Sequence, residues 1–236
     1  MIRRKKTISI LIILLSITTV FSQSRMDSLI VFVGEKIEIK SYPRDWKDYI
    51  IDTIITERVR TNDTSYVTRA MSIDSRYLVK YKILQKINGY YSSDTIEFIV
   101  YDHYGVPAFS KCQYVLLFVS CSKGKLYHEK YQYFDLYLTQ DGRWASPYAT
   151  GDYNHPYKDC ITVKPEKMMF KEPVSYPTKG LVSFKLEELN DDWIKKRFPK
   201  PYYEIKGDTA FAIYGNYVED LFKLKQQTVL KARGLY

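Results

Sequence analysis

A series of β-strand patterns fills the first 140 residues of the chain and restricts its fold more than any other feature. Within each pattern, apolar side chains recur at every second residue or form a short continuous run, as they do in strands. The segments lie at residues 28–40, 77–87, 95–101, 114–120 and 127–137. Gly34 interrupts the first segment as a β-bulge would, and Asn88-Gly89 after the second is typical of a tight turn. Together with 23 tyrosines, which are good strand formers, these patterns predict a mainly β fold.

Residues outside this series predict an insertion and a different C-terminal region. Residues 41–75 fit a helical stripe and a strand equally well, so their structure stays open. From residue 146 the chain is rich in loop-forming residues, with a hairpin turn at Gly207-Asp208. A terminal helix is predicted to begin at Asn216, with Glu219 completing a capping box. The predicted organisation is a barrel domain at 23–145 with an insertion at 41–75, and a mixed α/β, loop-rich extension at 146–236.

The N-terminal segment has the layout of a secretory signal peptide. A basic stretch, MIRRKK, precedes an apolar stretch, and small residues follow it. Val20 and Ser22 suit the positions before a cleavage site, which predicts a signal peptide at 1–22 and a secreted or periplasmic protein. The apolar stretch is shorter than the roughly 20 residues of a spanning helix, so no transmembrane span is expected after cleavage.

Charge and partners follow from this cleavage. The formal net charge is +9, and the signal carries four basic residues and no acids, which leaves +5 on 214 residues. The basic residues are dispersed, whereas nucleic-acid binding calls for a clustered basic stripe. The expected partner is therefore a protein, peptide or glycan, and not a nucleic acid.

Three cysteines enter an oxidising compartment, where disulfides persist. Cys112 and Cys121 bracket one predicted strand and would lie about 30 Å apart along it, too far to pair with each other. A disulfide between Cys160 and either Cys112 or Cys121 is one interpretation, and three free thiols are the other.

The candidate binding surface is the segment YHEKYQYFDLY at 127–137. On a regular strand, alternate residues share one face, which would hold four tyrosines and two carboxylates. Such a face is suited to stacking on a sugar ring or holding a peptide, although cross-strand tyrosine packing produces the same pattern. The candidate ligand-binding residues are Tyr127, Glu129, Tyr131, Tyr133 and Tyr137, with Trp144 near the end of the segment.

Catalytic motifs are absent from the sequence. His128-Glu129 resembles the start of a zinc-protease motif, but Gln132 stands where the second histidine belongs. His103, His128 and His155 have no short metal-ligand spacing. There is no nucleophile elbow and no glycine-rich phosphate loop. No catalytic residue, metal site or cofactor is therefore predicted.

The order of the predicted strands resembles a known family. The "VFVG" of the first strand, the Asn88-Gly89 strand end and the "YVLLF" at 114–118 are similar to motifs of netrin-like modules related to tissue inhibitors of metalloproteinases. The resemblance covers about residues 28–137 and implies an OB-like five-stranded barrel. Those inhibitors chelate zinc through a mature N-terminal cysteine, whereas this chain would begin near Gln23, so the resemblance does not imply protease inhibition. The signal sequence and the mature composition resemble small exported proteins of Bacteroidetes-type bacteria.

Three functions follow as hypotheses, the third being a structural envelope protein whose barrel has no concave open face. The first is an exported, non-catalytic binding or interaction protein with an OB-like barrel and a mixed α/β C-terminal extension. The alternative is a periplasmic metal-dependent hydrolase that uses His103, His128 or His155.

Overall fold

The computed structural model describes residues 29–42, 55–61, 64–69, 74–178 and 191–236. The predicted signal peptide at 1–22 and much of the insertion at 41–75 lie outside these residues. Fourteen strands are described there: β1 Leu29–Ser41, β2 Ile55–Thr61, β3 Thr64–Arg69, β4 Ser75–Asn88, β5 Thr95–Asp102, β6 Tyr114–Ser122, β7 Lys125–Asp135, β8 Tyr137–Leu138, β9 Trp144–Pro147, β10 Glu166–Lys167, β11 Ser175–Pro177, β12 Tyr203–Lys206, β13 Thr209–Ala212 and β14 Tyr214–Tyr217. The α-helices of the same ranges are α1 Thr150–Tyr153, α2 Asp191–Arg197, α3 Val218–Gln227 and α4 Val229–Ala232.

Five of these strands close into a barrel in the order β1-β4-β5-β7-β6, with β6 pairing back to β1. All neighbours are antiparallel except β5 and β7, which are parallel. The mainly β fold and the five-stranded barrel predicted from the sequence are confirmed. Between β1 and β4 the chain also forms an antiparallel hairpin of β2 and β3, with Thr61 opposite Thr64.

The barrel has an inner core and an outer one because β1 and β6 are buried on both faces. Their inward side chains, such as Phe32 and Leu117, pack inside the barrel with Tyr81 and Phe98. Their outward side chains pack beneath helix α3 instead. This outer core contains Val31, Leu116, Phe118, Phe134, Leu221 and Leu230. A continuous apolar run such as YVLLFVS therefore serves two cores at once.

Gly34 is the residue that the inner core requires at the bulge of β1. A Cβ atom there would lie 2.9 Å from Phe32 Cε2 and 3.0 Å from Tyr81 Cδ1. The register of β1 on β4 also shifts between Val33 and Gly34. The irregularity predicted at this glycine thus reflects two aromatic rings that occupy the space of a side chain.

The C-terminal region adds two small sheets and the four helices α1 to α4. One sheet has the order β10-β14-β9-β8 and the other β11-β13-β12, in which β12 and β13 form the hairpin predicted at Gly207. The predicted start of the terminal helix at Asn216 is wrong. Asn216 is a fully buried residue of β14, where its side chain donates to Lys164 O and accepts from the Tyr153 hydroxyl.

Helix α3 begins two residues later, at Val218, without a side-chain cap. Glu219 accepts from Gln85 on β4, so it does not close a capping box. Thr228 separates α3 from α4 with a non-helical backbone, and its hydroxyl donates to Leu224 O. The apolar face of α3 therefore decides where the helix lies, covering the outer side of the barrel.

Candidate functional site

A bulge in β7 divides the tyrosine-rich segment. Val119 of β6 lies opposite His128, and Leu117 lies opposite Tyr133, so Phe118 alone faces residues 129–132. Tyr131 in this bulge has a φ of 65°, a left-handed conformation that is rare for a residue with a large side chain. The prediction that residues 127–137 alternate as one regular strand is therefore wrong.

The bulge changes which side chains share a face. His128 and Tyr133 were predicted on opposite faces, yet both rings contact Phe109 inside the barrel, at centroid distances of 4.8 and 5.9 Å. Phe134 and Leu136 point to the outer core. Tyr133 is thereby placed against the core of the barrel, away from the surface that Tyr127 and Glu129 help to form.

Three hydrogen bonds hold the bulge in place. His128 Nε2 donates to Gln132 O over 2.7 Å, and Gln132 Nε2 donates to Lys130 O over 3.2 Å. Arg233, which follows α4, donates to the same Lys130 carbonyl over 2.8 Å. Burial lowers the pKa of His128 to about 4, so the imidazole is neutral and carries its proton on Nε2.

A depression of about 570 Å³ lies on the outer wall of the barrel. It crosses β4, β5, β7 and β6, and we call it the wall groove. Its aromatic and basic side chains are Tyr42, Tyr101, Tyr127, Arg76, Lys123 and Lys125. Ser120, Ser122, Ile99 and Glu129 complete it.

Strand pairing brings the groove residues together in a row. Arg76 on β4 lies opposite Tyr101 on β5, and Tyr127 on β7 lies opposite Ser120 on β6. The parallel pairing of Ile99 with Tyr127 joins the two halves of the row. The rings of Tyr101 and Tyr127 are 6.3 Å apart between centroids, with planes inclined by 16°.

The two ends of the groove carry different polar groups. At one end, Lys123 and Gly124 both have positive φ, the conformation of a two-residue type I′ hairpin turn, which places Lys123 and Lys125 at the tip of the β6–β7 hairpin. At the other end, Glu129 accepts from Ser120 Oγ and from Arg233 Nη1, the latter over 2.8 Å. Glu129 is thus a carboxylate whose charge is balanced by an arginine outside the groove lining.

Arg76 is ordered at the margin of the groove. Its guanidinium lies 4.1 Å from the centroid of the Tyr42 ring, and its Nε donates to Tyr42 O over 3.0 Å. These contacts keep a positive charge beside an aromatic ring, an arrangement that favours both cation–π and anion contacts.

Two of the predicted site residues lie elsewhere, in an aromatic pocket of about 220 Å³. Trp144 and Tyr137 line it with Tyr114, whose ring centroid is 4.8 Å from that of Trp144. Leu136 and Leu138 complete its apolar wall. Tyr131, by contrast, is exposed at the bulge and contacts only Tyr104 among aromatic rings of the described residues.

A third group of tyrosines surrounds Asp135 where the barrel meets the C-terminal sheets, and we call it the junction cluster. The Tyr176 hydroxyl donates to Asp135 over 2.6 Å and the Tyr137 hydroxyl over 3.0 Å. The Tyr203 hydroxyl donates to Tyr148 O over 2.8 Å. Burial, with the nearby Asp135 charge, raises the pKa of Tyr176 and of Tyr203 well above the usual tyrosine range.

The structure separates the three histidines. His128 lies inside the barrel, His103 contacts Asp74 over 3.3 Å, and His155 stacks on Tyr157 in the loop after α1. Within the described ranges, no group of three or more His, Cys, Asp or Glu side chains is arranged to hold a metal ion.

Of the two interpretations of the cysteines, the structure has the second, in which Cys112, Cys121 and Cys160 are free thiols. Cys112 is half-buried before β6, where burial raises the pKa of its thiol to about 11. Cys121 is exposed near the other end of β6, and Cys160 is exposed beside Lys231. The disulfide with Cys160 was suggested only by the oxidising compartment. The compartment does not determine which cysteines lie close enough to pair.

Sequence reasoning identified Tyr127 and Glu129 but missed Tyr42, Arg76, Tyr101 and the lysine pair at the hairpin tip. Tyr101 lies in a predicted strand and Arg76 directly precedes another, so an assumed pairing of β4 with β5 would have placed them together. The parallel pairing of β5 with β7, which joins Tyr101 to Tyr127, has no local signal.

Comparisons with known proteins give no relative for this chain. No protein-family model matches it, and neither the curated proteins nor the solved structures contain a significant match. None of the described helices has the length and apolar character that crossing a membrane requires.

Proposed function

We propose that this chain is an exported, non-catalytic binding protein whose ligand surface is the wall groove. The observation that carries the proposal is the row of Arg76, Tyr101, Tyr127 and Ser120 across four strands of a closed barrel. Aromatic rings with a few convergent polar groups in a concave surface are typical of ligand sites. The N-terminal segment MIRRKK and the apolar stretch after it support export.

The barrel is, in this proposal, of the OB type. OB barrels have five strands and bind ligands on their second and third strands, with the loops between strands one and two and between strands four and five. The second and third barrel strands here, β4 and β5, carry Arg76 and Tyr101 of the groove. The loop between the fourth and fifth strands supplies Lys123, and the first barrel strand is followed by Tyr42. This agreement also supports the resemblance to netrin-like modules, which stays a proposal.

The ligand surface is tested by substitution in the groove. We expect Tyr127→Ala to weaken binding at least tenfold to whichever ligands the wild-type protein captures on arrays of immobilised glycans and peptides. Tyr90→Ala is the matched control, because Tyr90 is 85% exposed and lies outside the groove. Equal binding by the wild type and Tyr127→Ala would reject the groove as the ligand surface, and no binding by the wild type to either array would reject the binding function.

A further inference from the structure

We infer that the wall groove binds an acidic oligosaccharide in one orientation, with acid groups at the Lys123–Lys125 end and hydroxyl groups at the Glu129 end. This inference rests on the proposed function and names the ligand class of the same groove. It is drawn from the distribution of charge along β7, from the paired rings of Tyr101 and Tyr127 that form the aromatic floor of the groove, and from the closure of the barrel.

The charge distribution sets the orientation. Lys125 and Glu129 lie on the same strand and line the same groove, four residues and about 13 Å apart. Lys123 and Lys125 attract an anion at one end, whereas Glu129, paired with Arg233, offers carboxylate oxygens that accept hydrogen bonds at the other. A single small anion would use only the basic end, so a ligand that fills the groove has an acid at one end and hydrogen-bond donors at the other.

Glu129 is an acceptor for such donors. Each carboxylate oxygen has two lone pairs, and Ser120 and Arg233 each use one position, on different oxygens. A ligand hydroxyl can therefore donate to Glu129 without displacing either partner. Ser120 and Ser122 add hydroxyls that both donate and accept.

The aromatic floor favours sugar rings. Tyr101 and Tyr127 offer two nearly parallel rings side by side on neighbouring strands. A tyrosine joins an apolar ring to a polar hydroxyl, which matches a pyranose that has C–H groups on its faces and hydroxyls at its edge.

Polynucleotides and peptides fit this surface less well. A nucleic acid carries a phosphate at every residue and is bound along a continuous basic track, but Glu129 interrupts the basic side chains of the groove. An extended peptide gains affinity by pairing with a free sheet edge, and the strands beneath the groove are already paired on both sides in a closed barrel.

The experiment measures binding by calorimetry of the full chain, expressed with its N-terminal segment and purified after export. The probes are hexasaccharides of galacturonic and glucuronic acid, the methyl esters of both, and a dodecamer of thymidylate. We expect the acids to bind at least tenfold more tightly than their esters, which keep the rings and hydroxyls and lose the charge. Stronger binding of the esters, equal binding, or failure of both acids to bind would overturn the inference. Tighter binding of the dodecamer would assign the groove to nucleic acid instead.

Two variants test the orientation. Lys125→Gln is expected to weaken binding of the acids at least threefold and to leave binding of the esters unchanged. Glu129→Gln is expected to weaken binding of the acids and of the esters alike, because it changes the residue that accepts hydrogen bonds from the ligand hydroxyls. Lys206→Gln, which removes a charge outside the groove, is the matched control. If Lys125→Gln and Lys206→Gln have equal effects, general attraction explains the binding, and the oriented site is rejected. The proposed function survives any of these failures if Tyr127→Ala still abolishes binding on the arrays.

Discussion

The wall groove and the junction cluster are both built from tyrosines, but they use the residue in opposite ways. In the junction cluster, the hydroxyls of Tyr176 and Tyr203 donate hydrogen bonds inside the protein, to Asp135 and to a backbone carbonyl. In the groove, Tyr101 and Tyr127 line an open surface. The abundance of tyrosine in the sequence therefore identifies neither role. The role of each tyrosine depends on which group its hydroxyl contacts and on how exposed its ring is.

The largest expected difference between the regions is in stability. Tyr203 is 6% exposed and packs against Phe198, so Tyr203→Ala should lower the free energy of unfolding by about 3–5 kcal/mol. Tyr127→Ala on the groove should lower it by about 1 kcal/mol or less, since its ring is half-buried and packs beside Tyr101 across the strands. Urea denaturation of both variants checks this, and similar losses in the two would remove the distinction between the regions.

The pH dependence of stability tests the burial of His128, which lies in the barrel wall behind the groove. Burial lowers the pKa of His128 from 6.5 to about 4, so between these values the unfolded chain binds a proton that the folded chain does not. Stability should therefore fall as the pH decreases from about 6.5 to about 4, by up to about 3 kcal/mol.

Denaturation curves at several pH values measure this loss. His128→Gln removes the titrating group and should flatten the curve in that window, whereas the control His155→Gln, in an exposed loop, should keep it. A wild-type protein with constant stability from pH 6.5 to 4 would contradict the burial of a neutral His128.

Removing a single hydroxyl gives a smaller effect. Tyr176→Phe deletes the donor to Asp135 and keeps the ring, so we expect a loss of about 1.5–3 kcal/mol, as for hydrogen bonds to charged groups. Tyr127→Phe should leave stability unchanged. If both changes are neutral by urea denaturation, the hydroxyls of the junction cluster contribute no more than those of the groove.

The smallest expected effect concerns the link between α4 and the groove. Arg233→Gln removes the ion pair with Glu129, which is partly exposed, so stability should fall by about 1 kcal/mol or less. Arg233→Lys should recover only part of this loss, because a lysine cannot bind Glu129 and the Lys130 carbonyl with a planar fork. Full recovery in thermal denaturation would show that charge alone matters there.

Much of the barrel was predictable because its signals are local. The apolar alternation of β4 and β5 and the continuous run of β6 reflect burial of one or two faces, and Gly34 marked a true irregularity. The bulge at Tyr131 was not predictable, since Arg233, about a hundred residues away along the chain, helps to hold it. The prediction that the terminal helix begins at Asn216 failed for a related reason. Asn216 has the side chain of a helix cap, but Lys164 and Tyr153 satisfy that side chain in the interior.

The candidate site was predictable only in part. Tyr127 and Glu129 were named because they alternate within one segment, and Tyr137 and Trp144 were named with them although they line a separate pocket. The wall groove also needs residues from three other strands. Their convergence depends on the register and closure of the sheet, which no single segment specifies.

The pairing of β1 with β4 makes the connection between these two strands a suitable place to insert a foreign segment. Ser41 lies opposite Tyr77, and Tyr42 N donates to Arg76 O over 2.8 Å, so the chain leaves and re-enters the barrel at adjacent points. Doubling the length of a loop between such fixed ends costs only about 0.6 kcal/mol in closure entropy. A foreign peptide inserted between these strands would thus begin and end at the margin of the wall groove, which makes this position a starting point for engineered binders.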